Sequence, residues 1–154
     1  ITGEEMFVLK SAATYHDAGF VEQYAKNEPI GARMAKEILP IYGYTPEQVE
    51  EVERLIYATI IPHNPKSHLE EIICDADLDY LGRDDFHEIA DTLRRELKER
   101  GIVDKTRGWD EMQVKFLTMH KYFTKSAIQM RQEKKEKHIE DIKQRLATHK
   151  YEDD

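Results

Sequence analysis

The chain contains 154 residues, carries a formal net charge of −8 and has a single cysteine, Cys74. This length suffices for one ordinary hydrophobic core, and the acidic surface disfavours general binding to nucleic acids or to anionic membranes. A lone cysteine excludes an internal disulfide and a thiolate metal cluster, and it is typical of a cytoplasmic protein. No apolar run approaches the roughly 18 residues that a membrane helix needs.

The first part of the chain carries clear helix signals. Thr2, followed three residues later by Glu5, fits a capping box that begins a first helix, expected to end before Gly19. A second helix is expected over residues 27–39, and a third begins at Thr45, where a proline occupies the first helical position. The residues expected to be buried on these helices are Phe7, Val8, Ser11, Ala12 and Tyr15, then Ile30, Met34, Ile38 and Leu39, then Val49, Val52, Leu55, Ile56 and Ile60.

The second part is predicted to be helical as well. A fourth helix begins with a capping box at Ser67, and a fifth is capped by Asp84 or Asp85. Residues 109–146 form either one long helix or a broken one, and 131–154 is expected to be a charged helical extension. The inward positions are Leu69, Ile72, Ile73, Ala76 and Leu78, then Phe86, Ile89, Leu93 and Leu97, then Met112, Phe116, Met119, Phe123 and Ala127, and finally Ile139, Ile142 and Leu146.

Two short segments carry ionisable residues that can act together. His16 and Asp17 lie at the end of an apolar helix, where burial is costly unless such groups are paired or bind a metal. Asp75, Asp77 and Asp79 alternate, and residues two apart on a helix point about 200° apart, so at most one can join that pair. Asp77 is the candidate, while Asp75 and Asp79 are expected to face solvent or to pair with other helices. Imidazole and carboxylates suit Mn²⁺, Fe²⁺, Zn²⁺ or Mg²⁺.

Together these segments resemble the HD-domain superfamily of metal-dependent phosphohydrolases. In that family a His-Asp pair ends one helix, as His16-Asp17 does here, and an Asp in an Ala-Asp-x-Leu context lies on a later helix, as Asp77 does here. The resemblance implies an all-α, HD-domain-like helical bundle with a long C-terminal helix or helix pair, formed as a single domain by residues 1–154.

The resemblance also implies a chemistry. One divalent metal ion, held by His16, Asp17 and Asp77, would activate a water that hydrolyses a phosphomonoester or phosphodiester, with a nucleotide as the expected substrate. Asp17 would also hydrogen-bond that water. Arg83 and Lys66 flank the Asp77 helix and are candidates for offsetting charge on the phosphate, with Arg83 ranked first because a guanidinium binds phosphate in a bidentate manner.

Three departures from the family pattern leave an alternative open. The family's first histidine should lie on a helix before Thr2, so the chain is expected to lack its first helix and to begin part-way into a longer protein. Many members have Glu or Lys where Phe20 stands here. Two-metal members have histidines where this chain has Asn27-Glu28 and Thr59, which favours a single metal or none. The alternative is a non-catalytic helical domain that binds a ligand or regulates a signalling protein.

The remaining candidates are weaker. His63 lies in a loop between two prolines, where it either covers a pocket or is a surface histidine. Cys74 is expected to be packed rather than reactive. Residues 109–146 leave open a purely structural interaction protein, and a homodimer is also compatible with the sequence. The other histidines show no partner pattern and are expected to be surface or structural residues: His68, His87, His120, His138 and His149.

Overall fold

The computed structural model describes residues 1–149 and residue 151, and within them the chain is helical and contains no strand, which confirms the predicted all-α class. The α-helices of the described chain are α1 (Gly3–Tyr15), α2 (Glu28–Ile38), α3 (Pro46–Ala58), α4 (His68–Asp77), α5 (Phe86–Glu99), α6 (Thr106–Met119) and α7 (Lys125–Thr148). Short 3-10 helices span Ala18–Val21, Leu39–Tyr42 and Asp79–Gly82. Positions 150 and 152–154 of the predicted charged extension lie outside the described residues.

The chain divides into two compact units, Ile1–Asp77 and Leu78–Asp154. The first unit contains α1 to α4, and the second contains α5 to α7. None of the described helices is both long and apolar enough to cross a membrane. The buried core of the first unit consists of Val8, Leu9, Ala12, Ala32, Ala35, Leu39, Val49, Val52, Leu55, Ile56 and Ile73. The buried core of the second consists of Leu78, Leu81, Phe86, Ala90, Val103, Trp109, Leu117, Ile139 and Ile142.

Two of the predicted capping boxes are present in full. The hydroxyl of Thr2 accepts from the backbone amide of Glu5, and the Glu5 carboxylate accepts from the amide of Thr2. Thr45 and Gln48 make the same reciprocal pair at the start of α3. These local bonds satisfy amides that lack a partner within the helix, so the sequence predicts these helix starts well. The predicted α3 face is also correct except at Ile60, which lies beyond the helix and is 42% exposed.

The predicted face of α2 is only partly correct: Leu39 is buried and Ile30 and Met34 are half-buried, but Ile38 is exposed. The residues that this helix buries are the small ones, Gly31, Ala32 and Ala35, whereas Ile38 is 38% exposed. Close approach of two backbones explains this choice, because a Cβ atom added at Gly31 would lie 2.3 Å from the carbonyl oxygen of Tyr15. Larger side chains on this face would hold α2 away from the end of α1.

Residues 109–146 form a broken helix, one of the two predicted forms. The backbone becomes extended at His120, and Thr124 begins α7 by accepting a hydrogen bond from the amide of Ala127. The break resets the helical register, so apolar residues before and after it need not share a face. Met112 and Met119, predicted to be buried, both lie on α6 before the break and are 44% and 66% exposed, because α6 buries Trp109, Gln113 and Leu117 instead.

Candidate functional site

The end of α1 places the imidazole of His16. This residue follows Tyr15 directly as the C-cap of the helix, and its Nδ1 lies 2.7 Å from the carbonyl oxygen of Ala13. A carbonyl only accepts hydrogen bonds, so Nδ1 carries a proton and donates it. The bond therefore orients the ring and directs Nε2 toward the neighbouring carboxylates.

Four side chains from three parts of the first unit meet here, and we call them the His16 cluster: His16, Asp17, His63 and Asp77. Nε2 of His16 lies 3.1 Å from Oδ2 of Asp17 and 3.3 Å from Oδ1 of Asp77. On the other side of Asp77, Oδ2 lies 3.0 Å from Nε2 of His63. The structure thus brings together the three residues predicted as metal ligands and adds a second histidine to them.

Burial increases from the edge of the cluster to its interior. The side chain of Asp17 is 61% exposed, that of His16 is 21% exposed, and that of His63 is only 5% exposed. Hydrogen bonds to Asp17 and then to Asp77 raise the pKa of His16 to about 10. Burial raises the pKa of Asp77, but hydrogen bonds with His16 and His63 outweigh it, so this pKa lies below its usual value. The cluster therefore holds at least one proton between imidazole and carboxylate at neutral pH.

Two glycines allow the backbone around His16 to pack closely. A Cβ atom added at Gly19 would lie 2.0 Å from the carbonyl oxygen of Asn27, and one added at Gly31 would also come within 3.5 Å of the carbonyl oxygen of His16. These contacts seat the turn that follows α1 against the start of α2. The position of the His-Asp pair therefore depends on backbone packing as well as on its own side-chain bonds.

His63 is the member of the cluster that sequence reasoning ranked too low. Its loop joins α3 to α4, and the side chain is buried, so the alternative of a surface histidine is wrong. The prolines at positions 62 and 65 limit the conformations of this loop, and they were the one local indication that His63 is held in a fixed position. Nothing local in the sequence indicates that the loop folds back onto Asp77.

The two cations proposed to contact phosphate have partners of their own. Lys66 is exposed, and its Nζ bonds the side-chain oxygen of Asn64 at 2.9 Å. Arg83 lies in the second unit, where its Nε bonds a carboxylate oxygen of Asp85 at 3.0 Å. Their proposed roles toward a phosphate stay predictions.

The acidic residues beside Asp77 take two different environments. Asp75 was expected either to face solvent or to pair with another helix. It is 6% exposed, so the prediction that it faces solvent is wrong. Asp79 pairs with another helix, as the second alternative predicts: Nε of Arg131 on α7 lies 2.7 Å from the Asp79 carboxylate. Cys74 is buried and donates to the carbonyl of Ala58, and burial raises the pKa of its thiol to about 12, as expected for a packed, unreactive cysteine.

The donor chemistry of the His16 cluster fits a divalent cation. One imidazole nitrogen faces two carboxylates, and its other nitrogen donates to a backbone carbonyl, which is how proteins orient a histidine that ligates a metal. The four side chains contact one another in sequence, however: Asp17 to His16, His16 to Asp77, and Asp77 to His63. Within the described residues, three metal-ligating side chains whose donor atoms all lie within 4.8 Å of one another occur elsewhere, at His87, His138 and Asp141.

Comparison with protein-family models, with curated proteins and with solved structures finds no match to this chain. The resemblance to the HD-domain superfamily therefore stays an expectation drawn from the residues.

Proposed function

We propose that this chain is a metal-dependent phosphohydrolase of the HD-domain type, which hydrolyses a phosphomonoester or phosphodiester such as a nucleotide. The observation that supports the proposal is the position of the His16 imidazole between the carboxylates of Asp17 and Asp77. These residues come from the two segments that match the family pattern, and they are separated in the chain by two helices.

His16, Asp17 and Asp77 are the residues that would hold the ion. When bound, a divalent ion supplies a more acidic water and polarises a phosphoryl oxygen. His16 would release its proton when a metal binds, because the ring nitrogen between the carboxylates must present a lone pair. His63 holds the second oxygen of Asp77 and so acts as a positioning residue.

Asp17 has a further role in the proposal. Its carboxylate is the most exposed group of the cluster, so it can accept a hydrogen bond from a water at the surface of the site. Lys66 is exposed and precedes α4, and it is the candidate within the first unit for offsetting negative charge that develops on a phosphate. The net charge of −8 does not oppose an anionic substrate, since local cations dominate the field at a site.

A second candidate function is a non-catalytic domain that binds a ligand or regulates a signalling protein. The observation that favours it is that the contacts between imidazoles and carboxylates already satisfy the charges of Asp77 on both sides. A cluster that is neutralised in this way is stable without an ion. The two functions differ in whether a phosphoester is turned over.

The test is hydrolysis of a phosphoester panel by the chain loaded with Mn²⁺. The panel contains p-nitrophenyl phosphate, bis-p-nitrophenyl phosphate, a nucleoside monophosphate and a cyclic nucleotide. We expect turnover of at least one compound, and we expect Asp77→Asn to lower kcat by about 100-fold or more because the amide carries no charge. Glu50→Gln, an exposed change on α3, is the matched control and should leave kcat within about twofold.

Metal content tests the proposed site, and together with turnover it separates the two functions. Bound Mn²⁺ that is lost in Asp77→Asn, combined with no turnover of any compound, would favour the regulatory domain. Equal Mn²⁺ content in the wild-type, Asp77→Asn and His16→Ala chains would contradict the proposed site.

A further inference from the structure

A second group of histidine and aspartate side chains lies in the second unit, and we call it the His87 cluster: His87, His138 and Asp141. His87 is on α5, while His138 and Asp141 lie three residues apart on α7. Each residue offers one ligand atom that lies within 4.8 Å of the other two. None of the three belongs to the His16 cluster, and the function proposed above does not use them.

His138 is the fixed member of this cluster. It is only 6% exposed, and its ring stacks on Phe86 with centroids 4.6 Å apart. Nε2 lies 2.8 Å from the carbonyl oxygen of Arg83. Because a carbonyl only accepts, Nε2 carries the proton, and in the neutral ring Nδ1 therefore presents a lone pair.

That lone pair has no partner among the residues that the structure describes: Nδ1 of His138 is buried and makes no hydrogen bond there. An unsatisfied buried nitrogen costs free energy, and folded proteins contain few of them without a reason. The arrangement is the one found around metal-ligating histidines, in which one ring nitrogen donates to a backbone carbonyl and the other binds the ion.

The other two members are able to adjust. The side chains of His87 and Asp141 are 46% and 48% exposed, and Nε2 of His87 lies 4.0 Å from Oδ2 of Asp141. Ligand atoms around a tetrahedral zinc ion lie about 3.3 Å apart, given metal–ligand distances of about 2.0–2.1 Å. A small rotation of two exposed side chains therefore suffices to close the site on an ion.

We propose that His87, His138 and Asp141 form a binding site for a divalent transition-metal ion of the Zn²⁺ class. Two imidazoles and one carboxylate are the ligand types that zinc sites use, and three protein ligands leave a coordination position open. His87 and Asp141 also line an open groove of about 430 Å³ in the second unit, together with Trp109 and Arg94. The groove offers space beside the proposed site for water or a small ligand.

The test is titration of the full chain with Zn²⁺ in competition with a chromogenic chelator. We expect His87→Ala and Asp141→Asn each to weaken one Zn²⁺ equivalent by about tenfold or more relative to the wild-type chain. The matched controls are His68→Ala and Glu140→Gln, two exposed changes that should leave every equivalent within about twofold. Circular dichroism should show an unchanged fold in all four variants, since the altered side chains are exposed.

A second measurement does not depend on any variant. In ¹⁵N spectra of the wild-type imidazoles, Zn²⁺ should shift Nδ1 of His138 and leave its Nε2 protonated. The proposal is overturned if His87→Ala and Asp141→Asn retain every Zn²⁺ equivalent, if the controls lose as much as these variants do, or if Zn²⁺ leaves the His138 signals unchanged.

Discussion

The His16 cluster and the His87 cluster use the same residue types in opposite arrangements. In the His16 cluster each imidazole faces a carboxylate, at distances of 3.0–3.3 Å. In the His87 cluster the two imidazole rings meet edge to face, with centroids 5.0 Å apart, and the carboxylate of Asp141 lies 4.0 Å from Nε2 of His87. The first arrangement pairs opposite charges, whereas the second brings together two bases.

The difference decides which cluster holds a proton. Paired carboxylates raise the pKa of His16 to about 10, whereas burial and a neighbouring imidazole lower the pKa of His87. At neutral pH the first cluster is therefore a protonated ion pair, whereas His87 of the second is a neutral imidazole. Neighbours, and not residue type, determine what a histidine can bind.

The largest effect is expected from Gly31→Ala, which tests whether the His16 cluster depends on its backbone scaffold. The added Cβ would lie 2.3 Å from the carbonyl oxygen of Tyr15, so α2 must move away from the end of α1. We expect the free energy of unfolding to fall by about 3 kcal/mol. Chemical denaturation measures this change.

Gly3→Ala is the control for that substitution. Nothing lies within 4 Å of a Cβ atom added at Gly3, which is in the same unit and also in a helix. It should leave the free energy of unfolding unchanged or raise it by up to about 1 kcal/mol. If both glycine variants behave alike, close packing at Gly31 does not position the cluster.

The next effect is the coupling within each cluster, measured by double-mutant cycles with alanine. His63 and Asp77 are largely buried and directly bonded, so their coupling energy should be about 2 kcal/mol. His87 and Asp141 are half-exposed at 4.0 Å in the metal-free chain, so their coupling should stay below about 0.5 kcal/mol. Similar coupling energies for the two pairs would remove the contrast between the clusters.

The sequence predicts those parts of the structure that depend on neighbouring residues. The capping boxes at Thr2 and Thr45 are examples, because each is closed within four residues. A family pattern predicts that His16 and Asp17 meet Asp77, and the structure places Nε2 of His16 3.1 Å from a carboxylate oxygen of Asp17 and 3.3 Å from one of Asp77. This part of the site needed no knowledge of packing.

The remainder depends on contacts between distant segments. Sequence reasoning chose the large residues of α2 as its buried face, but the helix buries Gly31 because another backbone passes there. It did not decide whether His63 covers a pocket or lies at the surface, because the contact that buries it is with Asp77, 14 residues further along the chain. It assigned no function to His87 and His138, which lie on separate helices and meet only when α5 packs near α7.

The last prediction concerns the protonation of His16 and His87 in the unmodified chain. In the metal-free chain, NMR titration should show His16 protonated through pH 8 and losing its proton near pH 10, while His87 titrates below 6.5. The raised pKa of His16 contributes stability that is fully present below pH 6.5 and is lost as the pH rises through about 10. The lowered pKa of His87 destabilises the folded chain at acid pH. Below pH 6.5 the unfolded chain binds that proton more readily than the folded chain does. Asp77→Asn is the control, since it removes one charged partner of His16 and should lower the pKa of His16 without changing that of His87. A His16 that titrates at its usual pKa would show that the carboxylates do not hold its proton, and the two clusters would then differ in geometry alone.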